Sequence, residues 1–379
     1  MLSLEPWDDV WRRNQYLVDG LLRTDPELRV LYVEPSNDLT HSLLTRRRLV
    51  RGGGLRQAPG YEGRLHLLQP DKVLPRAVGP FADLLLRRVV RRAADRVGMI
   101  DPVLWVNDPS WAAMAFSRDR PVLYDMTDDW AEAPRAPREH RRIVANDALL
   151  SDRSDVVVVC SRGLQATRGR TREVVLIPNA VDVARYRRPA PRPADLPDGP
   201  IAMYVGTLHR DRLDVELVVA TADAVDAAGG TVVLIGPNAL GGADTAALEE
   251  YGAVHLLGAR PRDDIPAYLQ AARVLLVPHV VTPFTESLDP IKLYEYLAVG
   301  RPVVSTPVAG FREEASVWVT SVEADDYPAA VVRALRSPAD AGAAAASVAD
   351  WSDRVAAMRD VLYRLWSRVG APGPEPGSQ

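Results

Sequence analysis

Cysteine is almost missing: of 379 residues only Cys160 is one. A lone thiol excludes an internal disulfide and any C-x-x-C redox or metal pair, and it fits a reducing compartment. Its setting, DVVVVCS, reads as a buried strand, so a core thiol is expected rather than a nucleophile. Histidine is sparse, and the six present lack metal-ligand spacing. There is no run of about 18 apolar residues to span a membrane and no secretory leader pattern, so a cytoplasmic protein is expected. Nothing repeats at solenoid period. What is present is ordinary: 47% hydrophobic and 25% charged residues exclude wholesale disorder, and 379 residues suffice for two α/β domains with sizeable cores.

The net charge of −4 conceals a stretch poor in acids. Between His41 and Gly98 there are thirteen basic and four acidic residues, a net +9 that leaves −13 for the remainder. Within it, FADLLLRRVVRRAADRVG places Leu86, Val89, Val90, Ala93 and Val97 on one helical face and arginines on the other. Such a helix rests on its own domain's core or on anionic lipid. Nucleic acid is not expected as a partner, because no binding motif accompanies the charge.

The most informative stretch runs from Pro283 to Gly310, PFTESLDPIKLYEYLAVGRPVVSTPVAG. Asp289 is an N-cap type and Pro290 suits the first helical position, so a helix is expected to open there. Ile291, Leu293 and Leu297 form its apolar stripe, and Gly300 followed by Pro302 ends it. VVST is then a short β-branched strand. The free N–H groups and positive dipole end of this helix suit a phosphate. Lys292 in the first turn adds charge, and Glu295 one turn on could accept two vicinal sugar hydroxyls. The alternative is an ordinary αβ unit with both side chains in water.

This segment resembles the donor-binding motif of the GT-B glycosyltransferases, particularly the family-4-type enzymes. In that family the helix carries a Glu for the nucleotide ribose, followed by a small-residue, Gly, Pro-Val-Val run; Glu295 and AVGRPVVST match it. The family pattern has a second Glu further upstream, which here falls on Ser287, with Glu286 beside it. Glu286, Ser287, Leu288, Asp289, Pro290 and Ile291 are therefore expected near the donor. The resemblance extends over almost the whole chain. An opening Trp-Asp…Trp-x-Arg…Gln segment matches Trp7, Asp8, Trp11, Arg12 and Gln15, and Pro178-Asn179-Ala180-Val181-Asp182 matches a Pro-Asn-Gly-Val-Asp turn with Ala in place of Gly.

The resemblance implies an α/β fold of two Rossmann-like domains facing across a cleft. Residues 1–188 would form the acceptor-binding domain, 189–199 the Pro-rich linker and 200–350 the donor-binding domain. A helix near 351–369 would return to the first domain, and 370–379 would be a disordered tail. The polar, Gly-rich region 37–78 is expected as a long excursion. On the donor side the resemblance implies Gly206 and Thr207 after a strand, with Arg212, then Arg210, as the phosphate contact. Gly236, Leu257, Gly258 and Arg260 would lie near the base.

In the first domain, Asp108, Asp125, Asp128, Asp129 and Trp130 fall at strand ends, where sites in parallel sheets gather. Asp128 or Asp129 could contact the reacting hydroxyl or cap the following helix. Arg12 and Arg13, with Trp7, Asp8 and Asp108, are candidates for acceptor contact; surface charge is the alternative for both arginines. The expected activity is transfer of a sugar from a nucleotide-diphosphate donor to a small natural product or a lipid-linked, cell-envelope saccharide. Retention of configuration is expected. Lys292 and Arg212 would stabilise the departing diphosphate without a metal or other cofactor. The same fold also leaves open a nucleotide-sugar epimerase or pseudo-glycosyltransferase, and a non-catalytic nucleotide-sugar or membrane-surface binding protein.

Overall fold

A computed structural model describes residues 1–39, 51–72, 80–132, 135–250, 252–337 and 348–368. Much of the basic stretch and the whole of 370–379 lie outside them. The chain divides into two compact units, Met1–Pro178 with Ser352–Gln379, and Asn179–Trp351.

The first unit is built on a parallel sheet. Strand Val122–Met126 lies between Leu104–Val106 and Val156–Val159, with Val175–Leu176 at the edge. Strand Val30–Val33 pairs with Leu65–Gln69, which also pairs antiparallel with Gly54–Gln57. The chain start joins the two groups, since Leu2 bridges both Val33 and Val106. The region 37–78, expected as a long excursion, thus holds four strands among its described residues, Asn37–Asp38, Gly54–Gln57, Leu65–Gln69 and Asp71–Lys72; LHLLQ is apolar enough to be buried on both faces. The N-terminal helix Arg13–Thr24 buries Leu17, Val18, Leu21 and Leu22. The last helix, Trp351–Arg368, buries Val355, Met358, Val361, Leu362 and Leu365. Gly20 lets these helices touch, for a Cβ there would lie 2.3 Å from a Val355 methyl. Tyr363 also donates to Asp25 at 3.1 Å.

Helix Pro80–Arg96 buries Leu86, Val90 and Ala93 as the pattern predicts. Val89 departs from it, pointing outward beside Leu85, Arg88 and Arg92. Its arginines divide: Arg87 and Arg91 hold the helix down through Ala113 O and Ser117 Oγ, while Arg88, Arg92 and Arg96 are exposed.

The second unit carries six parallel strands in the order Val254–Gly258, Thr231–Ile235, Ile201–Val205, Val274–Val277, Val303–Ser305, Val319–Ser321. Numbered along the chain, that is the doubly wound dinucleotide-fold order. Helices Val215–Ala227 and Tyr327–Arg336 pack on one face and Ile265–Ala271 and Ile291–Val299 on the other. The unit starts at Asn179, earlier than the expected boundary at 188. Val181 bridges Asp350, Leu196 is buried, and Asp195 pairs with Arg260, so the supposed linker 189–199 is part of this unit. Most of its side chains are exposed, and the buried Leu196 and the Asp195–Arg260 pair hold it to the unit.

Candidate donor and acceptor sites

In a doubly wound sheet, ligands collect where successive strands turn to opposite sides of the first. Here that point lies between the carboxyl ends of Ile201–Val205 and Val274–Val277. Gly206 leaves the first strand at φ +153°, and Gly236 leaves its neighbour at φ +145°. Both conformations disfavour any side chain, and a Cβ on Gly236 would lie 2.1 Å from Gly206 O. A Cβ on Gly206 would come within 2.9 Å of Lys292 Nζ. Two glycines therefore clear the space into which the lysine reaches.

Lys292 sits in the first turn of Ile291–Val299. Pro290, not Asp289, is the N-cap, and it is extended at ψ 119°. Asp289 turns away instead, accepting from Asn179 N–H at 2.5 Å and Tyr294 OH at 2.8 Å. It fastens the start of the unit to this helix. Gly300 ends the helix in the left-handed region at φ +66°, as the sequence predicts.

The Lys292 ammonium lies 3.9 Å from the centre of the Tyr204 ring and 3.3 Å from His279 Nε2. Burial, then Arg212, pushes its pKa down to about 7, and Glu295 acts in the opposite sense. His279 is held well below its ordinary value by burial, with Lys292 and Arg212 adding to it. The Arg212 guanidinium lies 5.4 Å over the Phe284 ring. Among the described residues, neither Lys292 nor Arg212 has a carboxylate within 4.0 Å. Two neighbouring cations without counter-ions make a strong anion site. Glu295 accepts from Tyr186 OH at 2.5 Å, and burial raises its pKa against the pull of Tyr186 and Lys292.

Other donor-side candidates are engaged elsewhere. Arg210 pairs with Glu216 at 2.6 Å on the surface, and Glu286 pairs with Arg312 at 2.8 Å. Arg260 braces Asp195 at 2.7 Å and also meets Tyr268 and the Leu257 carbonyl. Ser287 Oγ donates to Phe284 O at 2.8 Å, and Leu288 is buried beside it. Thr207 is exposed, Ile291 half-buried, and Gly258 accepts from Gly236 N–H at 3.0 Å.

The candidates of the first unit separate in the same way. Arg13 is buried in an ion pair with Asp125 at 3.1 Å and donates to Ile177 O at 2.7 Å. It serves the core, and acceptor contact would need that pair to open. Asp129 pairs with Arg168 at 3.1 Å, which also holds Asp147. Asp108 caps the turn at Ser110. Trp7 stacks edge-on against Tyr32 and Tyr61, and its backbone N–H donates to Glu34 Oε1 at 2.9 Å. Arg12 stays partly exposed, 3.6 Å from Asp8 and 4.0 Å from Glu5.

Glu5 carries no motif, yet it stands out. Its Oε2 is buried without a hydrogen-bond partner. Burial pushes its pKa up to about 7, partly opposed by Arg12 and reinforced by Asp128 and Asp8. The Glu5, Asp128 and Arg12 side chains thus form one charged group just after the strand position of Leu2. Glu5 and His279 are the polar residues of these two groups that pattern reading missed.

Comparison with known proteins bears on the second unit first. Residues 199–337 match the family model Glycosyl transferases group 1. That match falls within the second unit. TuaH of Bacillus subtilis (strain 168), assigned as a glycosyltransferase of teichuronic acid biosynthesis, is 26% identical over 246 residues. That match covers 59% of this chain and 60% of the relative, so the chain spans well under two thirds of TuaH's length. Sucrose-phosphate synthase from Thermosynechococcus elongatus superposes with a TM-score of 0.72 at 19% identity, covering 97% of this chain and 98% of that one. WaaG, a glycosyltransferase of lipopolysaccharide biosynthesis, gives 0.62 at 14% identity, with 97% of each chain covered. Likeness at these identities establishes the fold, which is GT-B. The switch point holding Lys292 lies inside the residues that match the group 1 model. No described helix is long and apolar enough to cross a membrane.

Proposed function

We propose that the protein transfers a sugar from a nucleoside-diphosphate donor, bound at the switch point of the second unit, to an acceptor bound by the first. The observation that carries this reading is the pair of cations without counter-ions, Lys292 and Arg212, beside a glycine-cleared strand end in the residues that match the group 1 model. As the glycosidic bond to the diphosphate breaks, negative charge grows on the leaving oxygens. Lys292, Arg212 and the free N–H groups at the start of Ile291–Val299 would stabilise it there. Glu295 would hold the ribose hydroxyls, and the Gly206 and Gly236 turns would let the backbone approach the donor. In this scheme the diphosphate charge is met by protein groups, no metal is required, and configuration is retained.

On the acceptor side the reading assigns the Glu5, Arg12 and Asp128 group, with Trp7 and Asp8, to contact with a hydroxyl-bearing acceptor. TuaH and WaaG are named for cell-envelope polymers, which favours a saccharide of that class, free or lipid-linked. The exposed Leu85, Arg88, Val89 and Arg92 on Pro80–Arg96 favour peripheral contact with anionic lipid.

Incubation with UDP-, GDP-, dTDP- and ADP-sugars, followed by mass spectrometry, tests the reading. Slow donor hydrolysis with one of them is the expected result. Glu295→Ala should raise the donor KM at least about tenfold, roughly 1.4 kcal/mol. Wild-type kinetics in that variant would remove the donor assignment, and release of an epimeric sugar nucleotide would replace transfer by epimerisation.

A further inference from the structure

Lys292 lies among groups that do nothing to hold a positive charge by ion pairing. Tyr204 comes from the first strand, His279 follows the fourth, and Arg212 comes from the loop after Gly206. Glu295, on the lysine's own helix, already binds Tyr186. Once Lys292 is an ammonium it can only donate, so His279 Nε2 then accepts from it, which needs a neutral imidazole. Burial, Lys292 and Arg212 all keep it neutral. His279 is itself fastened: its N–H meets Thr306 Oγ1 at 3.2 Å, and its carbonyl accepts from Thr306 OH at 2.7 Å. The ring therefore stands on a fixed backbone directly under the lysine, with the Tyr204 hydroxyl 3.3 Å from the same nitrogen.

We infer that His279 is the positioning residue of the diphosphate site, holding Lys292 over Gly206 so that nucleoside-diphosphate binding is coupled to uptake of a proton by the lysine. The inference rests on the proposed function and deepens it. A diphosphate beside Lys292 supplies the counter-charge that the free protein lacks, and so favours the ammonium. With the free lysine near 7, a solution at pH 8 holds it mostly neutral, and binding must load it. Affinity should then fall as pH rises above 7, by up to about tenfold per pH unit.

Calorimetric titration with UDP, GDP, dTDP and ADP at pH 8, in buffers of different ionisation enthalpy, counts the protons directly. Wild-type protein should take up about one proton per nucleotide bound. Lys292→Met should bind more weakly and take up none. His279→Phe should bind at least tenfold more weakly, with its affinity beginning to fall at lower pH, while unfolding at a temperature close to wild type. His279→Gln, which restores an acceptor, should recover most of the affinity. Equal proton uptake in wild type and Lys292→Met overturns the coupling. A His279→Phe protein with wild-type affinity and pH profile overturns the positioning role. Failure of the wild-type protein to bind any of the four nucleotides would instead overturn the proposed function.

Discussion

At the residue scale, each unit places an ionisable group, Glu5 in the first and Lys292 in the second, where burial works against its charge. For Lys292 the burden becomes useful once an anion arrives. For Glu5 the cost falls on stability, and its sign can be worked out. A carboxyl raised from 4.5 to about 7 on folding keeps its proton where the unfolded chain has lost it. Stability is therefore fully present below about 4.5 and is lost as pH rises through 7. Glu5→Gln should then stabilise the protein at pH 8 by about 1–3 kcal/mol, discounted because a quarter of the side chain is exposed, and by close to nothing at pH 4.5. Urea unfolding at the two pH values measures it, and a gain that does not depend on pH would refute it.

At the element scale, the switch point depends on two strand ends that approach too closely for side chains. Gly236→Ala would press a methyl against the Gly206 carbonyl and force an L-residue with a side chain into φ +145°. A loss of about 2–4 kcal/mol is expected, with nucleotide binding abolished, because Gly206 moves with it. Gly300→Ala is the informative contrast. It also has positive φ, but a Cβ there meets nothing within 4 Å, so only about 1–2 kcal/mol should be lost and binding kept. Denaturant midpoints for the two variants should differ in that order; equal losses would mean that close packing at Gly236 has no role. Much of this was legible locally. The helix with its Gly300 stop, the strand VVS and the glycines at strand ends follow from backbone rules acting over a few residues. The start of the helix was displaced by one residue because Asp289 found partners at Asn179 and Tyr294 instead of capping.

At the scale of the whole molecule, charge is distributed unevenly, and helix Pro80–Arg96 carries three exposed arginines of the basic stretch, Arg88, Arg92 and Arg96. Leu85 and Val89, each 37% exposed, alternate with Arg88 and Arg92 on one surface stripe. Flotation with vesicles containing anionic lipid should recover the protein, and vesicles of zwitterionic lipid should not. Reversing Arg88 and Arg92 to Glu should weaken binding by at least about thirtyfold, since each basic residue near such a surface contributes about 1 kcal/mol and the new carboxylates are repelled. Binding that survives the double reversal would assign the stripe to ordinary surface.

The sequence by itself determined what depends on near neighbours: two α/β units, a donor helix with Lys292 and Glu295 on it, and the glycines that permit close approach. Tertiary structure alone decided which charges stay available. Arg13 and Asp125, 112 residues apart, cancel each other in the core, and Tyr186 reaches Glu295 across 109 residues. Among the described residues, Lys292 and Arg212 are left without counter-ions because of what packs around them. Desolvation and ion pairing are sums over everything within a few ångströms, and those neighbours come from strands and loops far apart along the chain.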